Sequence, residues 1–195
     1  IILGIRKLKV VIITLKEKED DPQKIFESLN ATGVDLTPAE QIKNFLLMGL
    51  SQKEQEDLYK KYWLPMEDKI TSHFDDFMKD FLTMKRIDIP STKAVYSTFK
   101  EYFYDPDEKN DNAKCVEELL YYSQFYEIIA LQKTQDKEIL DAVTSFGTFA
   151  LRSTVVYPFL LQVFSDQEQG RISKDDLLEI MNLIQSYIFR RQICE

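Results

Sequence analysis

The chain has 195 residues, of which 44% are hydrophobic and 30% charged, enough for one sizeable core and too apolar for disorder over most of its length. Lys and Arg total 25 against 33 Asp and Glu, a net charge of −8, which argues against a free-standing duplex binder because phosphate contacts need a basic face. Only 5 glycines are present, so tight hairpins are scarce and helices are favoured over a β-sandwich.

Two cysteines, Cys115 and Cys194, lie far apart without CxxC spacing. They read as free thiols in a reducing compartment, so a cytoplasmic location is expected. No apolar run reaches the roughly 18 residues of a membrane span, so no membrane partner is expected. The chain opens on Ile1 rather than Met, which suggests a piece of a longer protein.

Taken in order, residues 8–15 (Leu-Lys-Val-Val-Ile-Ile-Thr-Leu) are β-branched and apolar, and form the best strand in the sequence. No second strand of similar quality follows. A lone strand leaves its backbone groups unpaired, so its sheet is expected upstream. Asp21-Pro22 starts a helix, with Asp as N-cap and Pro at the first helical position. Ile25, Phe26 and Leu29 share its face, and Gly33 is placed to end it. Thr37-Pro38-Ala39-Glu40 is a capping box, and its helix is expected to reach about residue 50 with Ile42, Phe45, Leu46 and Gly49 on one side.

Helix then follows helix. Residues 52–70 are amphipathic, with an interruption expected at Pro65. Residues 75–85 place Phe77, Phe81 and Leu82 together, and Pro90-Ser91 breaks the chain. Residues 92–103 carry Val95, Tyr96, Phe99 and Phe103, and 105–112 form a polar loop. A long helix spans 113–131, and 136–151 is either two short helices or one bent around Gly147. Residues 154–164 are apolar almost all round and are expected at the centre of the core. Ser173 opens the last helix, with Leu177, Ile180, Met181, Ile184, Tyr187 and Ile188 inward. The expected fold class is all-α: a multi-helix bundle with one orphan N-terminal β-strand.

Few residues offer chemistry. His73 is the only histidine, which excludes any self-contained site needing two imidazoles and suits a surface or cap residue. No Walker A loop, GxGxxG or GxSxG elbow is present. Asp105, Asp107 and Asp111 fail calcium-loop spacing, since Lys109 stands at a ligand position and Val116 replaces the closing Glu. No catalytic residue, metal site or cofactor is therefore assigned to this chain. Arg190-Arg191 gives favourable charge at the end of the last helix; a phosphate or carboxylate clamp is the alternative.

One stretch is more specific. Residues 25–44, Ile-Phe-Glu-Ser-Leu-Asn-Ala-Thr-Gly-Val-Asp-Leu-Thr-Pro-Ala-Glu-Gln-Ile-Lys-Asn, resemble a hallmark of the prokaryotic GmrSD-like family. That family includes modification-dependent (type IV) restriction enzymes and other phage-defence factors. The tail 186–194, with Arg190-Arg191, is similar to the segment that closes the family's helical region before a C-terminal HNH nuclease domain. The resemblance implies that residues 1–36 end a ParB/sulfiredoxin-like domain and that 37–195 form the helical middle domain. It also implies that Asn30 and Thr32 neighbour a nucleotide site. Nucleotide, divalent metal and DNA are then expected of the full-length protein only, since neither its Asp-Gly-Gln-Gln-Arg motif nor a histidine-rich domain lies in this chain. The alternative is a non-enzymatic helical module that binds a protein partner or forms a homo-oligomer.

Overall fold

Five helices of the fold start at a side chain that caps them, Thr37, Ser51, Asp111, Asp136 and Ser173. The computed structural model describes residues 36–104, 111–148 and 154–194, with Ile12, Ile25 and Ser28 besides. The chain divides into two compact units, Ile1–Leu36 and Thr37–Glu195. All elements below belong to the second. The proposed strand 8–15 lies outside the described residues except for Ile12, which is exposed and in no regular element. Among the described residues there is no strand, and the class is all-α.

Helix α1, Pro38–Leu47, opens on the expected capping box. Glu40 N–H donates to Thr37 Oγ1 at 3.3 Å, and Thr37 N–H donates to Glu40 Oε2 at 2.9 Å. The helix ends at Leu47, short of residue 50, because Gly49 takes φ +81 and turns the chain. Ser51 and Glu54 form a second capping box for α2, Gln52–Leu58. The expected break at Pro65 does not occur. A π-helical turn, Tyr59–Trp63, joins α2 to α3, Leu64–Ile70, and Leu64 N–H reaches back to Tyr59 O. The wider turn accommodates a proline ring that would strike a carbonyl in regular α geometry.

A short 3₁₀ turn, Thr71–His73, leads into α4, Phe74–Arg86. Another, Thr92–Ala94, leads into α5, Val95–Phe103. Asp111 Oδ1 accepts from Ala113 and Lys114 N–H at 3.0 and 3.2 Å and starts α6, Asn112–Leu131. Asp136 plays the same role for α7, Lys137–Thr148. A third 3₁₀ turn, Thr154–Val156, precedes α8, Tyr157–Glu168. Ser173 and Asp176 cap each other at the head of α9, Lys174–Cys194.

The long α6 runs through the middle and packs on α1, α3, α4, α7 and α8. Helix α4 lies beside it against α1, α5 and α8, while α9 covers α7 and α8. Trp63, Phe77, Phe81, Phe99, Tyr126 and Phe164 are the largest fully buried side chains. Phe45 of α1 meets Tyr96, Phe99, Phe103 and Tyr104 edge-on, with centroids 5.3–6.3 Å apart. Edge-to-face pairs of this kind add about 0.5–1.5 kcal/mol each beyond their buried area. A polar tie joins three helices nearby: Lys85 of α4 pairs with Glu118 of α6 at 2.6 Å, and Tyr102 OH of α5 donates to the same carboxylate at 2.6 Å.

Two further expectations are corrected by burial. Helix α8 buries Leu160, Leu161, Val163 and Phe164, but Val155 and Phe159 are 74% and 54% exposed, so the segment is one-sided. Tyr187 of α9 points outward at 65% exposure, because α7 and α8 cover only the opposite face.

Candidate functional site

Two clefts flank the Thr71–His73 turn. The first, of about 360 Å³, lies between α1 and α3 and includes Thr37, Glu40, Lys43, Trp63, Glu67 and Asp75. Its residues come from the described half of the 25–44 segment and from the helices α1 packs near. Thr37 and Glu40 are held by the capping box, whose geometry fixes where α1 begins. Asp75 Oδ1 accepts from Ala39 N–H at 2.8 Å, satisfying one of the amides that a helix start leaves open.

Glu67 is the hub of this first cleft. It accepts from Lys43 Nζ at 2.9 Å, Trp63 Nε1 at 2.9 Å and Tyr59 OH at 3.1 Å. Burial pushes the Glu67 carboxyl up, but the bonds from Lys43, Trp63 and Tyr59 outweigh it and hold it below its ordinary value. Trp63 in turn stacks on Phe74 at 4.9 Å. Each strong group around Glu67 is satisfied by a neighbour, so this constellation joins α1 to α3 and leaves no group poised for chemistry.

The second cleft, of about 370 Å³, lies where α4, α6 and α8 meet. Helix α4 and the turn before it supply His73, Asp76, Lys79 and Asp80, helix α6 supplies Tyr126, and helix α8 supplies Tyr157. Tyr126 is only 2% exposed, and its ring meets Tyr157 edge-on at 6.0 Å. Neither hydroxyl makes a hydrogen bond to a described residue, and Asp80 makes neither a hydrogen bond nor an ion pair with one. Burial, then the neighbouring Asp76, pushes the Asp80 carboxyl up to about 7. The Tyr126 phenol is pushed up by burial first and then by the nearby charges of Asp80 and Asp76. His73 Nδ1 stands 3.9 Å from Asp76 Oδ2 at the rim, and His73 accepts no cap bond as N-cap of α4.

Among the described residues, no group of three His, Cys, Asp or Glu is placed to hold a metal ion. No described helix is long and apolar enough to cross a membrane. Both cysteines are unpaired: Cys115 is buried and Cys194 exposed. Asn30 and Thr32 lie outside the described residues. Arg190 and Arg191 are exposed near the end of α9, and neither lines one of the two clefts.

The second cleft was missed in the sequence, although a signal was present. Asp80 stands three residues after Phe77, beside Phe81 and four before Met84, so a carboxylate interrupts the apolar stripe of α4. The tyrosines gave no comparable signal, since Tyr126 and Tyr157 fall at ordinary core spacing. The chain matches no family model, no curated protein and no solved structure.

Proposed function

We propose that the chain is the helical region of a GmrSD-like restriction or phage-defence protein, linking a nucleotide-hydrolysing domain to an HNH nuclease domain. The observation that carries this reading is the ordered pair of segments, 25–44 and 186–194, at the two ends of the chain. The placement of residues 37–44 is compatible with it. They start the second unit, where Thr37 caps α1, Ile42 is fully buried and Lys43 anchors α1 to Glu67. A packed helical body of this kind suits a linker that holds two flanking domains in a fixed orientation.

On this reading the chain holds no complete active site of its own. Asn30 and Thr32 neighbour the nucleotide site of the full-length protein, whose chemistry also uses a divalent metal. Arg190 and Arg191 contact a phosphate of DNA or of the adjoining domain, for which the guanidinium fork is suited. The test places the intact gene in a phage-sensitive host and measures plating of phages with modified bases. Plating falls by orders of magnitude if the reading holds. Unchanged plating, with an intact reading frame that lacks both flanking domains, overturns it.

A second reading is favoured by one observation. Helix α9 exposes Leu183 at 71%, Tyr187 at 65% and Phe189 at 43%, which suits self-association through this helix. Sedimentation of the purified chain distinguishes the two: a dimer abolished by Leu183→Glu supports it, and a clean monomer removes it.

A further inference from the structure

The cleft between α4, α6 and α8 combines features that a purely structural seam does not need. Tyr126 is almost wholly buried, yet its hydroxyl has no described hydrogen-bond partner. Buried hydroxyls are normally satisfied, and leaving one open costs about 1–3 kcal/mol. Asp80 opens into the same space without an ion pair, and Lys79 beside it pairs with no described carboxylate. The volume, about 370 Å³, falls in the range of small-ligand sites, about 300–1,000 Å³.

We infer that this cleft binds an organic cation, a primary ammonium or guanidinium head group, between Asp80 and the hydroxyls of Tyr126 and Tyr157. The two carboxylates, Asp76 and Asp80, outnumber the one ammonium of the lining, Lys79, which disfavours an anion. The arrangement also disfavours a bare metal ion, because no three of the described acids and imidazoles converge on one point. A flat or compact organic cation fits better. Its N–H groups can donate to one carboxylate and to the two phenol oxygens of the lining.

Binding is coupled to protonation. The groups facing Asp80 are His73, Asp76 and Lys79 from α4 and its leading turn, Tyr126 from α6 and Tyr157 from α8. With its carboxyl titrating near 7, Asp80 must lose its proton before it can pair with the cation. Affinity therefore rises about tenfold between about pH 6 and about pH 8. The source of the cation is either a free small molecule or a side chain presented by a partner protein.

The experiment titrates the whole 195-residue chain with methylguanidinium, butylammonium and uncharged methylurea, by calorimetry and by chemical shifts. The two cations are expected to bind and methylurea is not. Asp80→Asn is expected to abolish both the binding and its pH dependence, and Tyr126→Phe to weaken it severalfold. His73→Gln is expected to keep the pH dependence, which removes the rim imidazole as its cause. Thermal melts establish that each variant is folded. Capped arginine separates the sources: binding as strong as that of methylguanidinium identifies a presented side chain, and weaker binding identifies a free ligand. The inference is overturned if neither cation binds, if methylurea binds equally well, or if folded Asp80→Asn binds as tightly as the parent.

Discussion

Replacing Asp80 by Asn removes an ionisable group from the cleft while keeping its shape, and the consequence for stability depends on pH in a defined way. The carboxyl titrates at 3.8 in an unperturbed setting and at about 7 in the folded chain. Between these values the native state holds a proton that the unfolded state has released, so unfolding becomes easier as pH rises. The shift corresponds to about 4 kcal/mol, and partial solvent access to the cleft reduces this to about 2 kcal/mol. The penalty is absent below the unfolded value, grows as pH climbs, and is complete above about pH 7. Asp80→Asn is therefore more stable than the parent by about 2 kcal/mol near pH 8, or about 4–8 °C in Tm. The advantage shrinks toward zero below the unfolded value of 3.8, where the parent carboxyl is protonated in both states. Urea titrations of both proteins across this range read the gap directly. A variant that is less stable at high pH, or a gap independent of pH, would show that the folded chain does not raise the Asp80 carboxyl.

The other predictions concern the packing and the thiols. Glu67→Ala strands the Lys43 ammonium and the Trp63 N–H, and denaturant unfolding should show a loss of about 2–3 kcal/mol; Glu67→Gln, which keeps an acceptor, should lose less. Ile87 ends α4 in the left-handed region at φ 56 with its side chain 94% exposed, a costly place for a β-branched residue. Ile87→Gly should gain about 1 kcal/mol in the same assay, and a loss would show that the isoleucine makes an unrecognised contact. The Cys115 thiol is pushed up to about 12 by burial and then by Glu118 and Asp111. A thiol reagent near neutral pH should therefore label Cys194 alone in the native chain, with Cys115 reacting only after denaturation.

The helices were legible because their starts are written in short local patterns. Thr37 with Glu40 and Ser173 opposite the first turn of α9 both cap helices as their side-chain chemistry requires. Phe77, Phe81 and Leu82 were correctly placed on one buried face because an apolar stripe is a one-dimensional signal. Pro65 misled because its local rule ignores the option of a wider turn upstream, which only the packing of Tyr62 and Trp63 into the core makes worthwhile. Tyr187 misled for a different reason: helical spacing identifies a face without saying whether another element covers it. The second cleft needs three helices to meet, and no spacing within one of them encodes that meeting. Asn30 and Thr32 of the 25–44 segment lie outside the described residues.

The proposed function requires that the helical body act only together with the domains proposed to flank it. Its most direct test compares two proteins on DNA with modified bases, in the presence of nucleoside triphosphate and magnesium: the intact gene product and the 195-residue chain alone. On the proposed function, the intact protein cleaves in a nucleotide-dependent manner and the chain alone does not. Cleavage by the isolated chain, or an intact protein inert toward modified DNA under every nucleotide, would contradict it.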